Sequence, residues 1–302
     1  MDFVGKRIIF FLVSLVVIVP GIAFLIIAPG LKPGIDFTGG STLTLAFSNS
    51  VDQKGLRSEL SLLGYTDAAV QNLDDDTFFV RTKQLDETRK TELVEALKSQ
   101  LSPDGVGVLS FDLVSPVVAR ETVLNGLYAV IAGALGVFIY LWWAFRRVPR
   151  PLRYGVAAVV ALLHDTLIVI GIFAILGELL GTEVNTMFLI AILTVIGYSV
   201  NDTIVVFDRL RENVINYPTR SFRDNVNVSI SESLSRSLNT RLTLLFTLLA
   251  LLLFGGATIQ TFLIVLLIGV VVGTYSSIAI ASQVLAAWEA GDFRKILFLK
   301  RS

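Results

Sequence analysis

The chain has 302 residues, 54% of them hydrophobic, and 25 basic side chains balance 25 acidic ones. A mean hydropathy of +0.73 is too high for an ordinary water-soluble domain and reads as a polytopic membrane protein. Zero net charge supplies no global field for nucleic acid. The absence of cysteine removes disulfides, thiolate metal sites and cysteine nucleophiles together, and a single histidine, His164, cannot build a histidine metal cluster.

The first apolar run, 8–28, follows Lys6 and Arg7. A secretory signal has an apolar region of about 7–15 residues and a small-residue cleavage site. This run has neither feature and spans roughly 30 Å as a helix, so it is expected to be retained, with a kink at Pro20-Gly21. The segment 29–121 is the only large hydrophilic stretch. Residues 41–47 alternate as a strand, 51–63 carry helical periodicity, and 68–73 and 77–83 read as strands around the turn Asp74-Asp75-Asp76. An amphipathic helix over 86–101 and a strand over 106–114 complete a β-α-β-β-α-β order, the ferredoxin-like pattern, in about 90 residues, enough for one small core. The three-aspartate turn lacks the ligand spacing of a calcium loop and is expected to be a solvated turn. Gly39-Gly40 lacks the lysine and following helix of a phosphate-binding loop, so ATP is not expected as the direct energy source.

Five more apolar runs follow, at about 122–145, 154–176, 184–207, 235–254 and 261–288. Arg146, Arg147, Arg150 and Arg153 fall between the second and third spans and mark that loop as cytoplasmic. Lys6 and Arg7 at one end and Arg294, Lys295, Lys300 and Arg301 at the other agree with both termini inside, while the connections near 178–183 and 255–260 carry no Lys or Arg. The fold class expected is therefore a polytopic α-helical membrane protein. It has six transmembrane helices and one small extracytoplasmic α+β domain between helices 1 and 2. Its parts are the first helix (1–28), the outer domain (29–121), a five-helix bundle (122–288) and a basic cytoplasmic tail (289–302). A cytoplasmic loop, 208–234, lies within the bundle and is broken by Tyr217-Pro218-Thr219 into two helical pieces.

Asp202 sits inside the fourth apolar run. Even lenient insertion scales charge about 2.5–3.5 kcal/mol for an Asp at the centre of a spanning helix, and six residues before Asp208 places it roughly 9 Å inside the hydrocarbon edge. Asn201 and Thr203 flank it. The fifth apolar stretch is too short to cross unless its helix begins near Arg236 and takes in Arg241. A polar stripe, Ser229, Ser233, Arg236, Thr240, Thr243 and Thr247, runs along it at spacings of three and four. Asp202 then has two candidate cations at similar depth: Arg236, on the stripe, and Arg241, off it, which can also snorkel to the interface. A proton relay and a static ion pair holding two helices together both fit. His164-Asp165, near the middle of the third span, is a second anomaly: a histidine is a side chain suited to shuttling protons, and hydrogen bonding to neighbouring helices is the alternative. Gly269, Gly273, Ser277 and Ala281 recur every four residues as a packing face.

These motifs together resemble the SecD/SecF family of protein-export membrane proteins, within the proton-driven RND superfamily. The matching stretches are GIDFTGG at 34–40, His164-Asp165, VIGYSVNDTIVVFDRLREN at 195–213, LSRS around Arg236, FGG at 254–256 and LIGVVVGTYSSI at 267–278. The resemblance implies that Asp202 and Arg236 form the proton-pathway pair. It implies a location in the bacterial cell membrane and a complex with SecD docked to the SecYEG channel, in which protons moving down the proton-motive force promote late export of a translocating polypeptide. No enzymatic activity, cofactor or metal is implied. Two departures stand out. Glycines usual in the family near 115 and 119 are replaced in Val114-Ser-Pro-Val-Val-Ala119, which bears on the joint between outer domain and second span, and Arg241 replaces a small polar residue. Rival readings are half of a proton-driven exporter of small molecules or lipids, and a non-transporting membrane assembly factor.

Overall fold

The computed structural model describes residues 1–27, 30–74, 76–256 and 259–291. Arg294, Lys295, Lys300 and Arg301 of the expected basic tail, and Asp75 of the three-aspartate turn, lie outside the described residues. The chain divides into two compact units, Met1–Lys32 with Leu127–Ser302, and Pro33–Gly126.

A short 3₁₀ turn, Val4–Lys6, leads into α1 (Arg7–Ile27), which stays helical through Pro20. The strand pair of residues β1 (Lys32–Pro33) and the one-turn helix α2 (Ile35–Thr38) come next. Then follow β2 (Gly40–Phe47), α3 (Gln53–Leu62), β3 (Ala69–Asp74), β4 (Thr77–Thr82), α4 (Glu87–Leu101) and β5 (Val106–Val114). The order is the anticipated β-α-β-β-α-β, and the four strands lie β3-β4-β2-β5 with every neighbour antiparallel. Alternation along β2 and β4 turns Leu43, Leu45, Phe78 and Val80 inward, where Leu56 and Leu60 of α3 and Leu93 and Leu97 of α4 cover them. Each such burial is worth about 1.5–3 kcal/mol. Asp86 caps α4 by accepting from the Arg89 N–H at 2.8 Å. The turn beside Asp75 is less solvated than expected: Asp76, at φ 58°, accepts the Val51 N–H at 3.1 Å.

The two glycines of GIDFTGG are required by geometry. Gly39 and Gly40 have φ of 73° and 126°, a region costly for any side chain. A Cβ on Gly40 would stand 2.7 Å from the Thr82 carbonyl oxygen, and one on Gly39 would stand 3.0 Å from the Pro116 Cα. The motif thus turns the chain from α2 into the central strand with no room to spare.

The remaining elements are α5 (Pro116–Ala144), α6 (Leu152–Leu180), the two-residue strand β6 (Glu183–Val184), α7 (Thr186–Asn216), α8 (Phe222–Phe254), α9 (Gln260–Ser276), a π-turn over Ser277–Ala281, and α10 (Ser282–Glu289). Six stretches are long and apolar enough to cross a membrane, and helices meet the requirement that every backbone polar group be satisfied internally. α6, α7 and the α9–α10 stretch are buried over about half of their apolar length, whereas α1, α5 and α8 bury less than a fifth. The first three therefore form the centre. The Pro116 start of α5 replaces the expected one at 122: Ser115 accepts the Val118 N–H at 3.3 Å and proline occupies the first helical position, where its missing N–H costs nothing. Ser115 thus gives α5 a capped start.

The segment 208–234 forms two helical pieces broken around Tyr217-Pro218-Thr219, as expected, but each piece continues a flanking span and is not a separate loop element. α7 continues to Asn216 and α8 begins at Phe222, so only 217–221 are non-helical. Ser221 caps α8 by accepting the Asp224 N–H at 3.1 Å. Charged residues on these extensions pair across or along the helices, Arg209 with Glu232 and Glu212 and Arg211 with Asp208, which is why mixed charge did not break the helix.

Candidate functional site

Three central helices bring the buried acids together. α9 approaches α7 closely: Gly269 lies against the Val195 side chain, and a Cβ on Gly273 would stand 3.3 Å from the Ser199 Cβ. α1 meets α6 at a glycine pair, Gly21 and Gly171, where a Cβ on either would stand under 3 Å from the other backbone. Small residues permit this approach without lipid between the helices, and the hydroxyls of the closely packed neighbours reach the α6 carboxylate.

Asp202 is 4% exposed and accepts from Arg241 Nε at 2.5 Å. Arg241, 3% exposed, also donates from Nη2 to the Tyr198 carbonyl at 2.5 Å, and its guanidinium lies 5.8 Å from the Tyr198 ring centre. The pair is net neutral and doubly anchored, which is what a buried ion pair needs to persist in low dielectric.

The expected pairing of Asp202 with Arg236 is not what the structure contains. Arg236 is exposed and, among the described residues, forms no ion pair. It borders two cavities at the polar end of α7 and α8, of about 320 Å³ and about 350 Å³, each also lined by Val205 and Asp208. The reason is helical phase. The buried face of α8 steps in fours through Ser229, Ser233, Ser237 and Arg241. The stripe through Arg236, Thr240, Thr243 and Thr247 drifts off that face. Its threonines are exposed and donate to their own helix, Thr240 to the Arg236 carbonyl at 3.0 Å and Thr247 to the Thr243 carbonyl at 3.0 Å, so the hydroxyls need no seam.

Of the flanking residues, Thr203 is buried but donates to the Ser199 carbonyl at 3.3 Å, and Asn201 lies on the exposed side of α7 in a shallow depression with Gly197 and Tyr198. Neither contacts the Asp202 carboxylate.

His164 and Asp165 form a second buried centre. Asp165, 1% exposed, receives the hydroxyls of Ser199 at 2.5 Å and Ser276 at 2.7 Å on Oδ2, and its Oδ1 is 2.9 Å from His164 Nδ1. His164 Nε2 is 3.0 Å from Ser14 Oγ. Ser14 donates to Tyr275 at 3.3 Å, and Tyr275 donates to the Phe10 carbonyl at 2.6 Å. Four helices, α1, α6, α7 and α9, thus meet at one polar cluster. Ser14, Tyr275 and Ser276 escaped the sequence reading as site residues. The signal available for the last two was their place in the stretch 267–278, just before the π-turn, a feature often found at functional sites. Ser199 joins the two centres, since it binds Asp165 and lies three residues, one helical turn, before Asp202.

Comparison with known proteins follows the same residues. The family description "Protein export membrane protein SecD/SecF, C-terminal" matches residues 94–291, and "SecD/SecF GG Motif" matches 24–51. The protein translocase subunit SecF of Thermobaculum terrenum is 43% identical over 307 residues, covering 98% of this chain and 96% of that protein. The one of Anaerolinea thermophila is 42% identical over 300 residues, covering 97% and 96%. Among solved structures, SecDF of Thermus thermophilus, described as a translocon-associated membrane protein, superposes with a TM-score of 0.82 at 33% identity over 96% of this chain. A structure of SecDF in the super-membrane-facing form gives 0.68 at 32% identity over the whole chain. The chain spans about two fifths of the length of those SecDF chains, 39% and 40%.

Proposed function

This chain belongs to the SecD/SecF family of protein export membrane proteins, and on that premise we propose that it serves as a subunit of the Sec export machinery which, together with SecD and beside the SecYEG channel, draws on the proton-motive force to promote polypeptide translocation. The observation that carries the proton-driven part is the Asp202–Arg241 pair: a carboxylate sealed from solvent in a spanning helix against one permanent cation. In this reading both termini and the charged ends of α7 and α8 face the cytoplasm, and residues 29–121 face the other side.

Protonating the Asp202 carboxyl removes its charge and its attraction to Arg241 Nε, leaving the guanidinium held by the Tyr198 carbonyl. α7 and α8 then favour a different packing. When the proton leaves toward the cavities bordered by Arg236, the pair reforms. Arg236 borders both cavities beside Arg209 and Arg211, which are paired with acids, and keeps a positive charge near the exit without an ion pair to Asp202. One proton crossing 100 mV releases about 2.3 kcal/mol, enough to shift a two-state element more than tenfold. The repacking is useful only insofar as the two states differ in their contacts elsewhere in the complex. The test is Asp202→Asn, assembled with its partner subunit in vesicles. The gradient-dependent part of preprotein translocation should disappear while the complex remains assembled. Undiminished stimulation by the gradient refutes the reading.

A further inference from the structure

Resting on that reading and deepening it, we infer that His164 and Asp165 together hold one exchangeable proton, and that releasing it rewires a hydroxyl link between α1 and α9. The argument is a count of hydrogens. Tyr275 has one, and it goes to the Phe10 carbonyl at 2.6 Å. The Tyr275 oxygen can therefore only accept from Ser14, 3.3 Å away. Ser14 also has one hydrogen, and once it points to Tyr275 the 3.0 Å contact to His164 Nε2 must be made by a hydrogen on Nε2. The 2.9 Å contact between His164 Nδ1 and Asp165 Oδ1 requires another hydrogen between those atoms. The two hydroxyls on Oδ2, from Ser199 and Ser276, supply none to the ring. The whole set of contacts is satisfied only when the dyad carries one proton more than a neutral imidazole beside a carboxylate, whether that proton sits on Nδ1 or on Oδ1.

Charge points the same way. With the extra proton the dyad is net neutral. Without it a single negative charge remains in a site 1% and 6% exposed, and among the described residues no cation is paired with it. α1 contributes Ser14 there, α9 contributes Tyr275 and Ser276, and the π-turn and α10 carry no charged side chain before Glu289, which is tied to Arg150 and Arg153. α7 contributes Ser199, with Asp202 one turn further on, but its partner Arg241 is already committed. An uncompensated charge in a spanning helix is the costlier state.

Loss of the proton is balanced as follows. The Nε2 hydrogen leaves, the remaining ring hydrogen stays on Nδ1 toward Asp165, and Nε2 becomes an acceptor. Ser14 then turns its only hydrogen from Tyr275 to Nε2. The direct Ser14–Tyr275 link, which joins α1 to α9, loses its hydrogen. The dyad thus converts a proton into the presence or absence of one interhelical bond, adjacent through Ser199 to the Asp202 turn.

The chain has a single histidine, so the state is readable without mutation. The full chain, labelled with ¹⁵N-histidine, purified by a histidine-free tag and then assembled with its unlabelled partner, gives one imidazole to follow by NMR in lipid nanodiscs. Nε2 should switch between carrying a hydrogen and accepting one as the pH is varied, and Ser14→Ala should alter that switch. An Nε2 that is an acceptor throughout, or that keeps its hydrogen unchanged until the protein unfolds, overturns the inference. Either result leaves the Asp202→Asn export assay to be judged separately, because that assay does not observe His164.

Discussion

At the residue scale the decisive contact is between Asp202 and Arg241. Removing the cation alone leaves a buried carboxylate with no counter-charge, and breaking a buried pair from one side costs about 3–5 kcal/mol. Arg241→Gln should therefore lower thermal stability in detergent by that order, and Asp202→Asn combined with Arg241→Gln should recover most of the loss, since two neutral amides need less solvation than one bare charge. Arg236→Gln, on an exposed side chain with no ion pair among the described residues, should cost under about 1 kcal/mol. Its effect belongs in the gradient-dependent export rate, through the cavities it borders. Equal destabilisation by Arg236→Gln and Arg241→Gln would remove the distinction. Asp202 was legible in the sequence because no apolar run tolerates an acid without cause. Its partner was legible only as one of two candidate cations, because spacings of three and four from Ser233 lead equally well to Arg236 or to Ser237 and Arg241, and only packing shows which row is buried. Ser14 and Tyr275 were illegible for another reason: single hydroxyls are ordinary in spanning helices, and only the fold brings residues 14, 164 and 275 to one point.

At the element scale the sequence order of the α+β unit was readable because period-two alternation in β2 and β4 is unambiguous when one face is buried. The one-turn helix α2 was not, since four residues give no period to detect. What fixes the entry to β2 is the glycine pair after α2. Gly40→Ala must either distort a φ of 126° or push a Cβ to 2.7 Å from the Thr82 carbonyl, and backbone strain of that kind costs about 1–3 kcal/mol. A protease-resistance or thermal-unfolding measurement on the full chain should show that loss, whereas Gly55→Ala, where an added Cβ meets nothing within 4 Å, should be neutral to slightly stabilising because it sits within α3. Should both alanines behave alike, the close approach at Gly40 is not what holds this turn. The six spans were legible in number, but their ends were not: helix continuation into polar segments depends on ion pairs such as Arg209–Glu232, which link residues 23 apart and leave no local mark.

At the scale of the whole molecule, the groups able to respond to pH have to be separated from those that are not. The amino terminus is clasped to α8 across more than 220 positions. Asn227 accepts the N–H groups of Phe3 and Val4 at 2.9 and 3.0 Å, serving donors that begin a helix and have no partner of their own. Asp2 accepts from Gly5 N–H at 2.9 Å, Arg223 at 2.5 Å and Asn227 at 3.0 Å. Those bonds, the Gly5 N–H first, hold the Asp2 carboxyl down to about 2 from its ordinary 3.8. A carboxyl lowered in the folded state contributes stability that is fully present above 3.8 and lost as the pH falls through about 2. The clasp is therefore constant over the range in which a membrane protein experiences a proton gradient. Asp2→Asn should shift the unfolding temperature by the same small amount at pH 6 and pH 9, with the difference from the unmodified chain closing only at strongly acid pH, and the pH profile of gradient-dependent export should keep its shape. A profile that moves with Asp2→Asn would place the pH response at the membrane surface. An unmoved profile leaves that response to the buried acids, because the clasp is already saturated wherever the machine works.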